Sequence, residues 1–331
     1  MLNSGGDTME LNIEFKQSNK PLVRILVIGV GDAGCNAVNR MIDDNVSGIE
    51  YVGINTNIMN LANCKAPKTI AIGERIANGV GSGGDPTVGE SAAGESAESI
   101  EECIKGSDMI FISAGMGGGT GTGAAPVVAS IAKKLGILTV AIVSKPFSFE
   151  GTIRMRKAEE GIKKLKQAAD SIIILNNDNI FKIAEEDIDA KAAVRKTDEI
   201  LVKSLAGIAE IINRRADLNL DFADLKNVLS DKGEIYIGTG EGSGENKGTQ
   251  ACIMAMNNPL IETSVHNASN LLYFLTGKIK MKDFSAVGKK ITEKYGSQAR
   301  TYYGFDDSGN GEDSCKLIVI VTGSKEKHAL F

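Results

Sequence analysis

Short apolar runs alternate along this chain with longer stretches in which apolar and charged residues recur at helical spacing. The first run, Leu22-Val-Arg-Ile-Leu-Val-Ile28, stops at Gly29 and predicts a buried parallel strand. From Asn36 to Asp43 small, apolar and charged residues follow one another as in a helix. Similar apolar runs at Tyr51–Asn55, Met109–Ser113, Leu138–Ser144 and Ser171–Leu175 predict further strands, with helical patterns between most of them. Strands alternating with helices imply a parallel sheet covered on both faces, a Rossmann-like α/β arrangement.

The texture changes near the middle. A helical stretch from about Asp189 to Asn213 has no proline and no turn signal apart from Gly207. It leads into Asn219-Leu-Asp-Phe-Ala-Asp224; residues 233 to 249 are then rich in glycine, and the remainder reads as mixed strand and helix ending in a strand over Lys316–Val321. The expected division is a flexible arm over residues 1–20, a larger α/β domain over 21–188, and a connecting helix with its following loop over 189–221. A smaller α/β domain over 222–323 and a short tail over 324–331 complete it. A chain of 331 residues exceeds the usual size of one hydrophobic core, which agrees with two domains.

Composition narrows the chemistry. Hydrophobic residues make up 42% and charged residues 24%, an ordinary globular balance. With 37 basic against 42 acidic residues and no block of like charge, a nucleic-acid partner held on a basic face is not expected. The five cysteines, at 35, 64, 103, 252 and 315, contain no CxxC pair and fit neither a disulfide framework nor a zinc site, so a reducing cytoplasm is expected. Two histidines, His266 and His328, are too few and too remote for a histidine metal centre. Catalysis would therefore run on carboxylates, amides, backbone N–H groups and a bound cation. The start of the chain has no basic segment followed by an apolar core, and no apolar run reaches the ~20 residues that cross a bilayer. Direct membrane insertion is not expected, and a membrane would be reached through a partner.

The chemistry-bearing feature is Gly115-Met-Gly-Gly-Gly-Thr-Gly-Thr-Gly123, which follows the strand Met109–Ser113 and precedes the helical pattern Ala124–Leu135. Glycine lets backbone N–H groups face an anion with no Cβ in the way, and a helix starting there adds unpaired N–H groups and its dipole. The run Gly117, Gly118, Gly119, Thr120, Gly121, Thr122, Gly123 is thus read as a phosphate-holding loop. No lysine follows it, so it is not a P-loop of the GxxxxGK[ST] type. Thr120 and Thr122 offer hydroxyls instead, and Mg²⁺ is expected to offset the triphosphate charge. Gly29-Val-Gly-Asp-Ala-Gly34 is formally a GxGxxG. A nicotinamide-binding fold also wants an acid at the tip of the second strand, but Asn55-Thr-Asn57 stands there, which disfavours a dehydrogenase and favours a second phosphate loop. Gly81-Ser-Gly-Gly-Asp-Pro86 is a third candidate, read either as an ordinary turn or as a loop whose Asp85 orients a cation's water.

Taken in order, these segments carry a resemblance. Gly117–Gly123, Gly34-Cys-Asn-Ala-Val-Asn-Arg40, Ile54-Asn-Thr56, Lys145-Pro-Phe-Ser-Phe-Glu-Gly151 with Arg154, Asn177-Asp178 and Asn219–Asp224 together resemble the tubulin/FtsZ superfamily, in details closest to its bacterial-type branch. The match spans about residues 22 to 323. The resemblance implies a GTPase that polymerises head to tail into filaments, with GTP or GDP at the carboxyl ends of the first domain's strands. It implies that Gly31, Asp32, Ala33, Gly34, Cys35, Asn36 and Gly84 line the nucleotide, that Glu150 and Arg154 hold the ribose and phosphate side, and that Asn177 holds the base. Asp198 takes the guanine-reading role, with Glu199 the alternative if the register shifts by one. A carboxylate suits the N1–H and N2 donors of guanine. Asn219, Asp221 and Asp224 would face the γ-phosphate of the next subunit, the two carboxylates positioning the attacking water. Read without the resemblance, Asp221 and Asp224 are helix-capping or surface acids.

Departures from that pattern set the second reading. Val194 stands where the family often places a phenylalanine against the base, and Asn57 where an aspartate is usual. The family's division proteins also carry a long linker and an adaptor-binding peptide, whereas nine residues follow Thr322 here. The leading expectation is a filament-forming GTPase of cell division, partnered by itself and by filament-binding or membrane-anchor proteins. The alternative is a nucleotide-binding paralogue with weak hydrolysis and another role.

Overall fold

The computed structural model describes residues 23–182, 189–213, 218, 220–230, 233–257, 265, 268–307 and 313–323. Asn219, the arm over 1–20 and the tail over 324–331 lie outside them, as do the side chains of Val194 and Asp198. The described chain begins with β1 (Ile25–Val30), α1 (Gly31–Asp43), β2 (Glu50–Asn55), α2 (Ile58–Leu61), β3 (Lys68–Ala71), α3 (Glu74–Ala77), α4 (Pro86–Glu95) and α5 (Ala97–Ile104). It continues with β4 (Met109–Gly115), α6 (Thr120–Lys134), β5 (Leu138–Lys145), α7 (Thr152–Ala168), β6 (Ser171–Asn176) and α8 (Ala190–Asn213). It ends with α9 (Phe222–Leu229), β7 (Gly233–Ser243), α10 (Lys247–Met256), β8 (Asn270–Gly277), α11 (Met281–Tyr295), β9 (Arg300–Asp306) and β10 (Ser314–Thr322).

The strands form one mixed sheet in the order β3-β2-β1-β4-β5-β6-β7-β10-β8-β9. The first six are parallel, and apart from the exposed edge strand β3 they are the strands whose apolar runs lack alternation because both faces are covered. Every residue of β1 is buried. Ile25 and Val27 point into one core and Leu26, Ile28 and Val30 into a second, as the two-residue period of a strand requires. The sheet narrows at β6–β7, where only Ser171↔Gly233 and Ile172↔Glu234 pair. Beyond that neck, β10 runs antiparallel between β7 and β8.

The long helix α8 joins the two halves. Leu201, Val202, Leu205, Ile208 and Ile211 are buried along it at helical spacing, in the same core as Ile25 of β1 and Ile318 of β10. Burying each such side chain stabilises by roughly 1.5–3 kcal/mol. Gly207 of α8 packs on the second half: an ideal Cβ there would lie 3.3 Å from the Ile318 side chain and 3.5 Å from that of Thr239. That close approach, not a turn, is the reason for a glycine inside the helix.

Two boundaries differ from the sequence reading for a physical reason. β1 starts at Ile25 and runs through Gly29 to Val30, because Gly29 and Val30 stay in register with Gly53–Ile54 and Ser113–Ala114. α1 starts at Gly31, not Asn36, so its first turn is the glycine segment itself. That turn folds back on the strand: a Cβ on Gly29 would stand 2.4 Å from the carbonyl oxygen of Gly34. Glycines poor in helix propensity are tolerated here because only they permit this approach.

Candidate nucleotide site

The carboxyl ends of β1, β2, β4 and β5 and the turn after β6 open into a cavity of ≈ 800 Å³. In a parallel sheet this is where helices begin, so their unpaired N–H groups face the space. Two such starts converge. α1 begins at Gly31 and α6 at Thr120, neither with a side-chain cap. Gly31 has φ +72°, and a Cβ added to it would lie 3.0 Å from the backbone N of Gly121. Each helix start carries roughly half a positive charge, so together they favour an anion between them.

The glycines of the loop divide by what surrounds them. Gly118 lines the cavity, and a Cβ there would meet nothing within 4 Å; the same holds for Gly83 and Gly84 on the facing wall. These positions leave room for a ligand. Gly119 and Gly121 also line the cavity but are tight: a Cβ on Gly119 would fall 2.2 Å from Ser82 Oγ, and one on Gly121 2.5 Å from the Gly115 carbonyl oxygen. Gly117, at φ +98°, turns the chain against Arg154, and Gly123 packs against the carbonyl of Pro86. Thr122 is buried behind the loop, where its Oγ1 accepts the Gly117 N–H at 2.8 Å. Thr120 faces the cavity, with its hydroxyl 2.6 Å from Thr56 Oγ1 and 3.1 Å from Ser82 Oγ.

In the first glycine segment, Gly31, Asp32 and Ala33 line the cavity. Asp32 Oδ1 accepts from Asn55 Nδ2 at 2.7 Å and Asn60 Nδ2 at 2.9 Å. Asn57 caps α2 by accepting the Asn60 N–H at 3.1 Å, and it too lines the cavity. Gly34 and Cys35 are buried beneath this wall and Asn36 lies outside it. Asp85 accepts from the N–H and hydroxyl of Thr87 at 2.8 and 2.9 Å as the cap of α4. Those bonds hold its carboxyl below the usual carboxylate range.

On the opposite wall, Glu150 Oε2 pairs with Arg154 Nε at 3.1 Å, while its Oε1 accepts the Phe147 N–H at 2.8 Å. The charged residues on the wall are Lys145, Arg154, Asp32 and Glu150, so a polyphosphate would be met by backbone dipoles more than by cations. Asn177 lines the cavity, and its Oδ1 is buried with no hydrogen-bond partner among the described residues. Such an acceptor is costly to leave unpaired and suits a donor on a bound base. Sequence reasoning missed three aromatic residues here. Phe147 stacks on Phe149 with centroids 5.0 Å apart, and Phe181 lies 6.0 Å from Phe147. Phe149 is 73% and Phe181 58% exposed. Two of the three sit inside the quoted segment 145–151, but their convergence with Phe181 is visible only in three dimensions.

Asp221 and Asp224 lie elsewhere. Asp221 Oδ1 accepts the Asp224 N–H at 2.7 Å, and Asp224 Oδ2 accepts the Asp221 N–H at 3.3 Å, a reciprocal cap on α9. α8 starts beside the turn over Asn177–Lys182, and its 24 residues carry the chain about 36 Å away at 1.5 Å per residue. α9 then ends at the starting edge of the sheet, where Ser171 Oγ donates to the Leu229 carbonyl at 2.6 Å. One protomer does not bring these carboxylates to its own cavity. Asp198 lies within α8, its side chain outside the described residues.

A parallel sheet with a glycine-walled cavity at its carboxyl ends defines an α/β protein of the nucleotide-binding class. The profile of the Tubulin/FtsZ family, GTPase domain, matches residues 24–185, and that of the FtsZ family, C-terminal domain, matches residues 233–325. An empty FtsZ dimer from M. jannaschii is 38% identical, with a TM-score of 0.83, covering 91% of this chain and 88% of its own. CetZ1 from Haloferax volcanii, a GDP-bound monomer, is 20% identical with a TM-score of 0.78, covering 92% of this chain and 95% of its own; it shows the fold alone. The chain belongs to the tubulin/FtsZ family, and its first half is that family's GTPase domain. Family membership supports GTP or GDP binding and GTPase activity of the cytoskeletal kind. Among the described residues no helix is long and apolar enough to cross a membrane.

Proposed function

We propose that this protein hydrolyses GTP within head-to-tail filaments of itself, each active site being completed by the next subunit. The observation that carries this reading is the separation of the two halves of the chemistry: the glycine-walled cavity stands at the start of α8, and the Asp221–Asp224 pair lies beyond its far end. Phosphoryl transfer needs water placement and charge stabilisation more than covalent catalysis. On this reading Gly118, Gly119, Thr120 and Gly121 hold the β- and γ-phosphates from the start of α6, and Gly31–Ala33 hold them from α1. Glu150 and Arg154 fix the ribose side, Asn177 and Asp198 the base, and Phe149 and Phe181 offer it stacking surface. Asp221 and Asp224 of the adjoining subunit orient the water.

Mg²⁺ fits without a carboxylate cage. No group of three or more His, Cys, Asp or Glu forms a metal site among the described residues. The clustered hydroxyls of Thr56, Ser82 and Thr120 are ligands of the kind an octahedral cation accepts alongside phosphate oxygens and waters. When bound, Mg²⁺ would neutralise charge on the phosphates.

Exposed apolar side chains on the segments around the cavity mouth support self-association. Met59 is 76%, Val80 79%, Phe149 73% and Ile153 65% exposed; a second copy would cover them. The FtsZ of M. jannaschii, 38% identical, forms a dimer, and this supports the same reading. We place the role in cell division in the cytoplasm, with filament-binding or membrane-anchor proteins as further partners. Asn57 in the cavity wall favours the alternative, a structural paralogue with slow turnover. GTP turnover measured with light scattering over a protein titration separates the two. Turnover per subunit that climbs with assembly supports the leading reading; filaments with negligible turnover support the alternative.

A further inference from the structure

Behind the cavity wall, and untouched by the chemistry above, two cysteines meet. Cys35 is on the first turns of α1 and is 3% exposed; Cys64 follows α2 and is half-buried. Both sulfurs sit over Gly53 of β2. A Cβ added there would lie 2.6 Å from Cys64 Sγ and 3.5 Å from Cys35 Sγ, so only glycine leaves room for the pair. The loop carrying Cys64 is clamped in this position. Asn39, one turn after Cys35 on the same face of α1, donates from Nδ2 to the Asn63 carbonyl at 3.0 Å and accepts the Lys65 N–H on Oδ1 at 2.6 Å. These bonds grip the chain on both sides of Cys64 and aim its side chain at Cys35. Cys35 Sγ is held from below by weak contacts to the Gly29 and Ile54 carbonyls at 3.7 and 3.9 Å. The neighbouring Cys35 and the Ala66 N–H hold the Cys64 thiol below its ordinary range, while the neighbouring Cys64 and burial push Cys35 up. The other three cysteines, Cys103, Cys252 and Cys315, are buried.

We propose that Cys35 and Cys64 are a thiol modification site, a dithiol that peroxide closes into an intramolecular disulfide tying the first turn of α1 to the segment 57–65. The half-exposed Cys64 thiolate attacks one peroxide oxygen, the O–O bond breaks, and with one proton taken up water leaves and a sulfenic acid forms. Cys35 then attacks the Cys64 sulfur, the S–O bond breaks, and its thiol proton leaves with the hydroxyl as a second water. In sum two thiols and one peroxide give one disulfide and two waters.

The test is a hydrogen peroxide titration of the full chain, quenched by alkylation and mapped without reduction. In the wild-type protein a linked peptide containing Cys35 and Cys64 should account for most of Cys64. Cys103, Cys252 and Cys315 should stay alkylatable after unfolding, and dithiothreitol should restore both thiols. Cys35→Ser should replace the linked peptide by a sulfenic acid at Cys64 that dimedone traps; Cys64→Ser should leave Cys35 reduced. Cys64 driven to sulfinic acid in the wild-type protein with no linked peptide would overturn the proposal. So would equal oxidation of Cys35 in the presence and absence of Cys64.

Discussion

Gly118→Ala is the substitution that isolates ligand contact from folding. A Cβ at this position meets nothing within 4 Å, and Gly118 has no left-handed φ, so the folded protein accommodates it without strain. Stability without nucleotide should stay within about 0.5 kcal/mol of wild type, as for surface changes generally. The methyl group nevertheless projects into the space where backbone N–H groups would meet phosphate oxygens. Losing one hydrogen bond to a charged group removes about 1.5–3 kcal/mol, or roughly 10- to 150-fold in GDP affinity. Gly121→Ala is the contrasting control. Its Cβ would stand 2.5 Å from the Gly115 carbonyl oxygen and 3.4 Å from that of Val30, both backbone atoms that cannot rotate away. Overpacking of this kind typically costs about 1–3 kcal/mol or more, so this variant should lose stability as well as binding. The assays are chemical denaturation of nucleotide-free protein and calorimetric GDP titration. Gly118→Ala with wild-type GDP affinity would refute the placement of the phosphates on this loop.

Three further outcomes follow from the geometry. Asp221→Ala should abolish GTP turnover with nucleotide binding retained and, by removing the cap of α9, should lower stability by about 0.5–2 kcal/mol; Asp221→Ser should regain the stability but not the turnover. Denaturation of Glu50→Gln should show a deficit of no more than about 1 kcal/mol at pH 7, because the bidentate Arg24–Glu50 pair is 32% and 53% exposed. Arg24 lowers the Glu50 pKa, so the pair's contribution is full above the unfolded value near ~4.3 and fades as pH falls through the folded one. The deficit should therefore shrink as the pH falls below the unfolded value, and one that stays constant or grows on acidification would contradict the assignment. Leu205→Ala, at a fully buried position of α8, should cost about 2–5 kcal/mol in the same assay.

Much of this was legible from the chain. The strands β1, β2, β4, β5 and β6 announced themselves because both faces of a parallel sheet are buried, so their apolar runs are unbroken. α8 was legible for its length and its spacing of apolar residues. The start of α1 was not, since Gly31 and Gly34 argue against a helix until α6 is seen pressed against Gly31 and β1 and β4 against Gly34. The glycine loops were legible as candidate phosphate loops, and residues of all three line one cavity, but their division of labour was hidden. Whether a glycine gives room to a ligand, as Gly118 does, or to another backbone, as Gly121 does, depends on residues distant in sequence. The hydroxyl cluster of Thr56, Ser82 and Thr120 was equally invisible, because it is assembled from three separate loops. For Asp221 and Asp224 the protomer shows the capping reading, a reciprocal cap on α9; their action on a neighbour's nucleotide belongs to the proposal.

The central claim is that one subunit's carboxylates act on the next subunit's nucleotide, and a mixing experiment tests it most directly. Wild-type protein is held below the concentration at which it scatters light, with saturating GTP, and Asp221→Ser protein is added in increasing amounts. Phosphate release per wild-type subunit should rise as the inactive variant draws them into filaments, because each wild-type subunit supplies its Asp221 to the GTP of a neighbour, which in excess variant is the variant's own. Release that stays flat while mixed filaments form would contradict it.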